Sequence, residues 1–173
     1  MAGPVVLGVD PGTRRLGWGI VARDGTRLRH VAHGVIRMQD EAPLADRLVA
    51  IERGLVGVLG AHAVAAASVE GLFFHRDAQA AAKLGHARGV VLLVCARAGL
   101  AVHEYAPARV KLTVTGAGRA EKTQVAQMIR ALLGLAEVPP ADAADALAVA
   151  VTHLQHSRLT PVLPVITPKR RAV

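Results

Sequence analysis

The stretch that most constrains the fold is Val5-Val6-Leu7-Gly8-Val9-Asp10-Pro11-Gly12-Thr13, near the N-terminus. Its apolar run predicts a buried strand, and the Pro-Gly pair predicts a turn, so Asp10 is expected at the end of that strand. A carboxylate beside a core is costly unless it is paired or bound to a cation. Asp10 therefore either hydrogen-bonds the turn amides that follow it or belongs to a cluster with distant partners.

The next segments predict an antiparallel meander. Leu16 to Ala22 alternates apolar residues with Gly17, Gly19 and Val21, and Asp24-Gly25 then gives a hairpin signal. Leu28 to Met38 supplies the third strand. The first three strands are thus expected to pair antiparallel.

Helices and strands are expected to alternate in the remainder of the chain. The apolar spacing changes to three and four from Leu44 onward, which is typical of an amphipathic helix. Pro107 is expected to begin a basic connector that carries Arg109, Lys111 and Arg119. The predicted elements are a helix over Leu44–Val58, a strand over Val64–Val69, a helix over Gln79–Ala98, a strand over Ala101–Tyr105, a helix over Glu121–Leu133 and a helix over Ala141–His156. The fold class is α/β, a mixed sheet of about five strands with helices on both faces.

Two features bear on the boundaries and contacts of this domain. Gly85 and Gly89 lie four apart on one face of a predicted helix, where they allow close approach of a second helix, either within the chain or in a homodimer. Residues 158–173 hold three prolines and the basic run Lys169-Arg170-Arg171, which predicts a flexible basic C-terminal tail. Residues 1–157 are expected to form one domain.

The charge balance points to a polyanionic partner. The 173 residues include 21 Lys plus Arg against 13 Asp plus Glu, a net charge of +8, which favours nucleic acid. The long uncharged stretch from Leu55 to Val69 is too short and too interrupted for a membrane span. The N-terminus lacks signal-peptide features and the one cysteine, Cys95, excludes a disulfide framework, so a cytoplasmic protein without a membrane partner is expected.

Four acids share a kind of location: Asp10 and Glu70 at strand ends, and Asp142 with Asp145 in the first turn of the last helix. Acids at a helix start are also favoured by the helix dipole alone. If the two strands are neighbours and the start of the last helix docks beside them, the four carboxylates meet at one edge and raise each other's pKa values. Hard oxygen ligands suit Mg²⁺ or Mn²⁺, and two such ions can support phosphodiester hydrolysis. A metal-dependent nuclease is therefore the function that the residues favour.

Five blocks follow one another in a recognisable order: Gly8-Val9-Asp10-Pro11-Gly12-Thr13, Val69-Glu70-Gly71-Leu72-Phe73, Lys83-Leu84-Gly85-His86-Ala87-Arg88-Gly89, Ala120-Glu121-Lys122 and Ala141-Asp142-Ala143-Ala144-Asp145-Ala146-Leu147. In that order and at these intervals they resemble one known family, the RuvC Holliday junction resolvases, over roughly Val5 to His156. The resemblance implies a ribonuclease-H-like fold, a homodimer that binds four-way junction DNA, and paired symmetric nicks that leave 5′-phosphate and 3′-hydroxyl ends. It further implies a bacterial, nucleoid-associated protein that works with a branch-migration helicase complex of the RuvA and RuvB type.

The resemblance also implies roles for individual positions. Lys111 and Lys122 match basic residues near the scissile phosphate, and Lys122 is counted with the catalytic group. Phe73 matches an aromatic held against bases at the junction centre, although the adjacent Phe74 is an alternative for that role. Further DNA contacts are expected from Arg76 and Arg119. The acids that match the family's catalytic metal ligands are Asp10, Glu70, Asp142 and Asp145.

Three other interpretations fit parts of the sequence. The first is a different ribonuclease-H-like nuclease that cuts RNA–DNA hybrids, and the second is a nucleotide-binding protein of the actin-like class, which shares the Asp-x-Gly-Thr opening. The third is a junction-binding protein without catalysis. The second acid pair and the loop aromatics argue against the first, and missing glycine-rich phosphate loops argue against the second. His75, His86 and His153 are assigned to no metal.

Overall fold

A computed structural model describes residues 3–71 and 77–157. They form a five-stranded sheet with strand order β3-β2-β1-β4-β5 and five helices. The predicted tail over 158–173 and residues 72–76 lie outside the described residues. In chain order the elements are β1 (Val5–Asp10), β2 (Arg15–Asp24), β3 (Arg27–Arg37), α1 (Leu44–Ala61), β4 (Ala66–Glu70), α2 (Ala78–Arg97), β5 (Ala101–Tyr105), α3 (Pro107–Thr115), α4 (Lys122–Leu133) and α5 (Ala141–His156).

The sheet is mixed, as expected. β1 and β2 pair antiparallel, as do β2 and β3, whereas β4 pairs parallel to both β1 and β5. Gly25 in the β2–β3 turn has a φ of 57°, a conformation that glycine adopts without steric cost. The predicted meander and fold class are confirmed, and β4 begins at Ala66 rather than at Val64.

Helices cover both faces of the sheet, because successive strand residues point to opposite sides. Leu7 and Val9 of β1 pack with Ile51 and Leu55 of α1, in a cluster that also includes buried residues of α2. Val6 points the other way, into a second cluster formed with α3, α4 and α5. Two separate cores therefore share one sheet.

Helix α5 lies unusually close to the sheet. A Cβ added to Gly17 would overlap the backbone carbonyl oxygen of Asp142, and one added to Gly8 would overlap that of Ala146. A Cβ at Gly19 would likewise come within 2.6 Å of the Leu147 side chain. These glycines on β1 and β2 remove the side chains that would hold α5 away. Helix α5 is itself rich in alanine, which allows the close approach, and nearly all of its length from Ala143 to Leu154 is buried.

The connector predicted after Pro107 is wrong, because Pro107–Thr115 is helix α3. Pro107 occupies the first turn, and Gly116 ends the helix in the left-handed region with a φ of 78°. Only Val110 and Val114, four apart, are buried on it. Because so few of its residues are buried, α3 depends for its stability on packing against α5 and α4.

The glycine face of α2 has open space beside it within the described chain. A Cβ at Gly85 or Gly89 would meet nothing within 4 Å. The intramolecular helix seam, one of two alternatives expected for this face, is therefore not formed by the described residues. No helix in the described ranges is long and apolar enough to cross a membrane.

Candidate active site at the sheet edge

Parallel pairing brings two of the predicted acids together. Val9 of β1 is paired with Val69 of β4, so the next residues, Asp10 and Glu70, end adjacent parallel strands at the same edge of the sheet. A free strand end exposes main-chain groups and side chains to the space beyond the sheet, where a ligand can approach. The expected juxtaposition of Asp10 and Glu70 is confirmed.

The close approach of α5 brings the other two acids to this edge. Asp10 is paired with Gly17 on β2, and Gly17 lies directly beneath the backbone of Asp142. Asp142 is in the first turn of α5, whereas Asp145 comes one turn further along, which corrects the prediction that both lie in the first turn. The helix nevertheless places both residues near one another, since positions three apart share a face.

The electrostatics of Asp10 reflect this crowding. Burial, together with the charges of Asp145, Glu70 and Asp142, raises the pKa of Asp10 from 3.8 to about 8, while Lys122 acts in the opposite direction. The pKa of Glu70 is also raised, first by burial and then by Asp145. The expected elevation is confirmed for Asp10 and Glu70, with desolvation as its largest cause.

Two lysines provide the opposite charge. Lys122, the first residue of α4, donates a hydrogen bond to Oδ2 of Asp145 at 3.0 Å. That bond and the surrounding acids raise the pKa of Lys122, so it stays protonated at neutral pH. Lys122 and, to a smaller extent, Lys111 of α3 partly offset the rise in the pKa of Glu70. Both predicted lysines therefore lie beside the acids.

A pocket of about 180 Å³ opens at this point. Its charged lining is two acids and two lysines, and its floor is aliphatic. A mouth lined by both signs can accept an anionic phosphate and the cations that accompany it. Its lining residues are Glu70, Pro107, Val110, Lys111, Lys122, Val125 and Asp145.

The donor set fits hard divalent cations in its chemistry. Carboxylate oxygens are the preferred protein ligands of Mg²⁺ and Mn²⁺, and cations would relieve the repulsion that raises the Asp10 pKa. Among residues 3–71 and 77–157, no three His, Cys, Asp or Glu side chains lie close enough together, as they are positioned, to hold a metal ion. The Lys122 ammonium instead neutralises Asp145. Small rotations of Asp and Glu side chains would be needed for them to share an ion.

A larger cavity, of about 560 Å³, lies elsewhere on the molecule. It is lined by Arg23, Arg27, Leu28, Thr26, Leu132 and Gln155, without a carboxylate. Gln155 is ten residues beyond Asp145 on α5, which corresponds to about 15 Å along the helix. This cavity therefore has neither the ligands nor the position of the acid site.

Of the other predicted DNA contacts, the structure describes Arg119 alone. Arg119 is exposed in the turn between α3 and α4, outside the pocket lining. Phe73, Phe74 and Arg76 lie outside the described residues, so their placement beside DNA stays a prediction.

The structure adds residues for which the sequence analysis had no role. Arg88 of α2 is buried, with only 6 % of its surface exposed, and donates to the backbone carbonyl of Glu70. Tyr105, at the end of β5, hydrogen-bonds Nδ1 of His153 at 2.9 Å. An arginine inside an apolar helical stretch was a signal for a buried ion pair. The contact between Tyr105 and His153 left no comparable signal, since 48 residues separate them.

Comparison with known proteins agrees with this architecture. The family model for crossover junction endodeoxyribonuclease RuvC matches residues 6–153. The chain belongs to the RuvC family. A RuvC of Sorangium cellulosum is 60 % identical over 149 residues, which cover 86 % of this chain and 83 % of that protein. A RuvC of Bradyrhizobium diazoefficiens is 51 % identical over 159 residues, 91 % of each chain.

Solved structures extend the similarity to the fold. Thermus thermophilus RuvC in complex with a Holliday junction substrate superposes with a TM-score of 0.85 at 39 % identity, over 90 % of this chain and 96 % of that one. A fowlpox virus resolvase, at 13 % identity and a TM-score of 0.56, covers 87 % of this chain and shares the fold alone. The expected RuvC resemblance and the ribonuclease-H-like architecture of resolvases are confirmed.

Proposed function

We propose that this RuvC family member is a metal-dependent endonuclease that resolves Holliday junctions in homologous recombination and DNA repair. The observation that carries the proposal is the meeting of Asp10, Glu70 and the start of α5 at one sheet edge of a strongly basic chain. A relative of 39 % identity was solved with a Holliday junction substrate, which supports the choice of DNA. The products are paired symmetric nicks with 5′-phosphate and 3′-hydroxyl ends.

The four acids Asp10, Glu70, Asp142 and Asp145 would hold two Mg²⁺ or Mn²⁺ ions. When bound, such ions activate a water and stabilise the attacking and leaving oxygens of the phosphodiester. Asp10 is the most constrained ligand, because it ends a central strand and is largely buried. Asp145 accepts a hydrogen bond from Lys122, which would have to move away for both oxygens of Asp145 to bind a cation.

The two lysines act directly on the DNA in this proposal. Lys122 and Lys111 line the pocket from α4 and α3, so both ammonium groups are available to a phosphate that enters it. Their positive charge offsets the repulsion between the phosphate and the acids, and stabilises negative charge that develops during cleavage. Lys122 would release Asp145 as it turns toward the phosphate.

Other contacts follow from the family resemblance. Phe73, or its neighbour Phe74, would stack on bases at the junction centre, and Arg76 and Arg119 would contact the DNA backbone. A homodimer would place two such sites on opposite strands. A branch-migration helicase complex of the RuvA and RuvB type, and a nucleoid-associated cytoplasmic location, complete the proposal.

A metal titration on a synthetic four-way junction tests the function. The wild-type chain should give paired nicks that depend on Mg²⁺ or Mn²⁺ and disappear with a chelator. Asp10→Asn should abolish cutting while junction binding changes by less than about threefold, and Asp46→Asn, an exposed acid on α1, should cut normally.

Several results would contradict the proposal. Strong cutting in chelator would rule out the metal site, and an equal loss of junction binding in Asp10→Asn would make Asp10 structural. Preferred cleavage of an RNA–DNA hybrid or of linear duplex would assign the site to a different nuclease. Junction binding without any cutting in every metal would leave a non-catalytic binding protein.

A further inference from the structure

Helix α2 carries a buried arginine whose function the acid site does not by itself explain. Among the described residues, Arg88 is the only Arg, Lys, Asp or Glu that is buried. A buried cation is expensive unless hydrogen bonds and an opposite charge compensate it. Arg88 is therefore expected to have specific partners.

Those partners lie at the ends of two neighbouring strands. Nη1 of Arg88 donates to the backbone carbonyl of Glu70 at 2.6 Å, and Nη2 pairs with Oε1 of Glu104 at 2.5 Å. Beside them, the Gly71 amide donates to the carbonyl of Tyr105 at 2.8 Å. One guanidinium thus joins α2 to the last residue of β4 and the penultimate residue of β5.

The fork geometry explains why an arginine is present. A guanidinium offers several N–H donors in fixed directions, so it can bind a carbonyl and a carboxylate at once, whereas a lysine ammonium is a compact point charge. Charge-assisted bonds of this kind are short and strong. Arg88 binds the main chain of Glu70 rather than its carboxylate, which leaves the carboxylate available for another ligand.

We infer that Arg88 is a positioning residue for Glu70: it clamps the backbone where β4 ends and so fixes the direction in which the Glu70 carboxylate meets Asp10 and Asp145. This inference rests on the proposed metal-dependent nuclease site. The clamp also ties the acid site to α2, because a shift of the helix would move Glu70 with it.

The test compares Arg88 with a second arginine on the same helix. Arg97 also faces an acid, Glu52, but at 3.7 Å and with 71 % of its side chain exposed. The variants are Arg88→Met, Arg88→Lys and Glu104→Gln, with Arg97→Met as the matched control. Three quantities are measured on the full chain: Mn²⁺ affinity by calorimetry without DNA, exchange of the Gly71 amide by NMR, and single-turnover cleavage of a four-way junction.

Loss of the clamp should weaken the metal site more than the fold. Partners that orient ligands typically contribute about 10- to 100-fold to metal affinity or activity, so Arg88→Met should lower Mn²⁺ affinity and cleavage by that factor. Arg88→Lys should recover part of the loss, and Glu104→Gln should have the smallest effect. The Gly71 amide should exchange faster in the same order. Arg97→Met should stay within about twofold of wild type in all three measurements.

Each outcome decides the inference. Mn²⁺ affinity and Gly71 exchange within about twofold of wild type in a folded Arg88→Met would overturn it. If Arg88→Met does not fold, the same comparison of Arg88→Lys and Glu104→Gln with Arg97→Met decides. Failure of the proposed function is seen separately: wild type and Arg97→Met would then bind no Mn²⁺ or cut no junction, while Gly71 exchange still reports on the clamp.

Discussion

The two faces of the sheet are built on opposite packing rules. On one face, α1 and α2 fill the core with large aliphatic side chains, including Ile51 and Leu55. On the other, α5 lies almost against the strands, since Gly8 and Gly17 leave no side chain between the backbones. The first face stabilises the fold by burying apolar side chains. The second face also positions the acids of α5, because the helix is located by contact between backbones rather than by adjustable side chains.

The largest effect on stability is expected on the aliphatic face. Leu55 is fully buried, so Leu55→Ala should cost about 2–5 kcal/mol of unfolding free energy through lost burial and the cavity left behind. Junction cleavage by the folded protein should stay within about twofold, as for changes away from the site. Urea denaturation and single-turnover cleavage well below the melting temperature measure the two quantities. A rate loss of tenfold in the folded variant would break the distinction between the faces.

A single methyl group on the other face should affect both quantities. Gly17→Ala places its Cβ on the Asp142 carbonyl, and such overpacking typically costs about 1–3 kcal/mol. Because α5 must shift, cleavage should also fall, by about tenfold or more for a displacement near 1 Å.

Gly57→Ala on α1 is the matched control for Gly17→Ala. Its added Cβ meets nothing within 4 Å, so the change should be neutral or stabilise by about 0.5–1 kcal/mol, with normal cleavage. Unfolding curves and cleavage rates compare the two variants. Normal cleavage by Gly17→Ala would show that contact between α5 and the sheet does not place the acids.

Lys122 tests the charge balance on the α5 face. Lys122→Met removes the ammonium that donates to Asp145, and cleavage should fall by about 10- to 100-fold, as for partners that orient ligands. Lys83→Met on α2 serves as the control, since Lys83 is also exposed on a helix but lies outside the pocket lining. Single-turnover rates at saturating junction separate chemistry from binding. Equal losses of cleavage rate in both variants would mean that Lys122 contributes only its positive charge to DNA binding.

The smallest expected effect is a pH dependence confined to the acid site. The pKa of Asp10 is 3.8 unfolded and about 8 folded, so the native state keeps a proton that the unfolded chain loses, and the metal-free protein loses stability as pH rises from about 4 to about 8. The pKa of His153 is lowered to about 4, first by burial, so that its own contribution is lost as pH falls from 6.5 to about 4. Above pH 6.5 the Asp10 effect is therefore separate from that of His153.

Melting curves in chelator between pH 6.5 and 8.5 measure this difference. Wild type should lose about 1–2 kcal/mol over this range, and Asp10→Asn should not. Saturating Mg²⁺ should reduce the slope, because a bound cation lowers the pKa of Asp10. Identical slopes for wild type and Asp10→Asn would place the carboxylate in a solvated, uncrowded position.

Local chemistry explains which parts of the fold were predictable. Asp24-Gly25 specifies its own turn, and the alternation on either side specifies strands, so the meander needed no tertiary information. Helix α3 was missed because its polar and β-branched residues obscure a stripe of only two buried valines, although Pro107 and Gly116 marked its ends. The glycines at 17 and 19 were visible in the sequence, but the helix that they admit is more than 120 residues away.

Apart from α3, the order of the strands and helices, the basic character of the chain, and the placement of Asp10 and Glu70 at strand ends were predictable from the residues alone. These follow from neighbouring residues and from composition. The packing of distant elements was needed to show how near α5 comes to Gly17, which group neutralises Asp145, and that Arg88 binds the backbone of Glu70. The physical reason is that such contacts depend on backbone separations across distant elements, which side-chain periodicity does not encode.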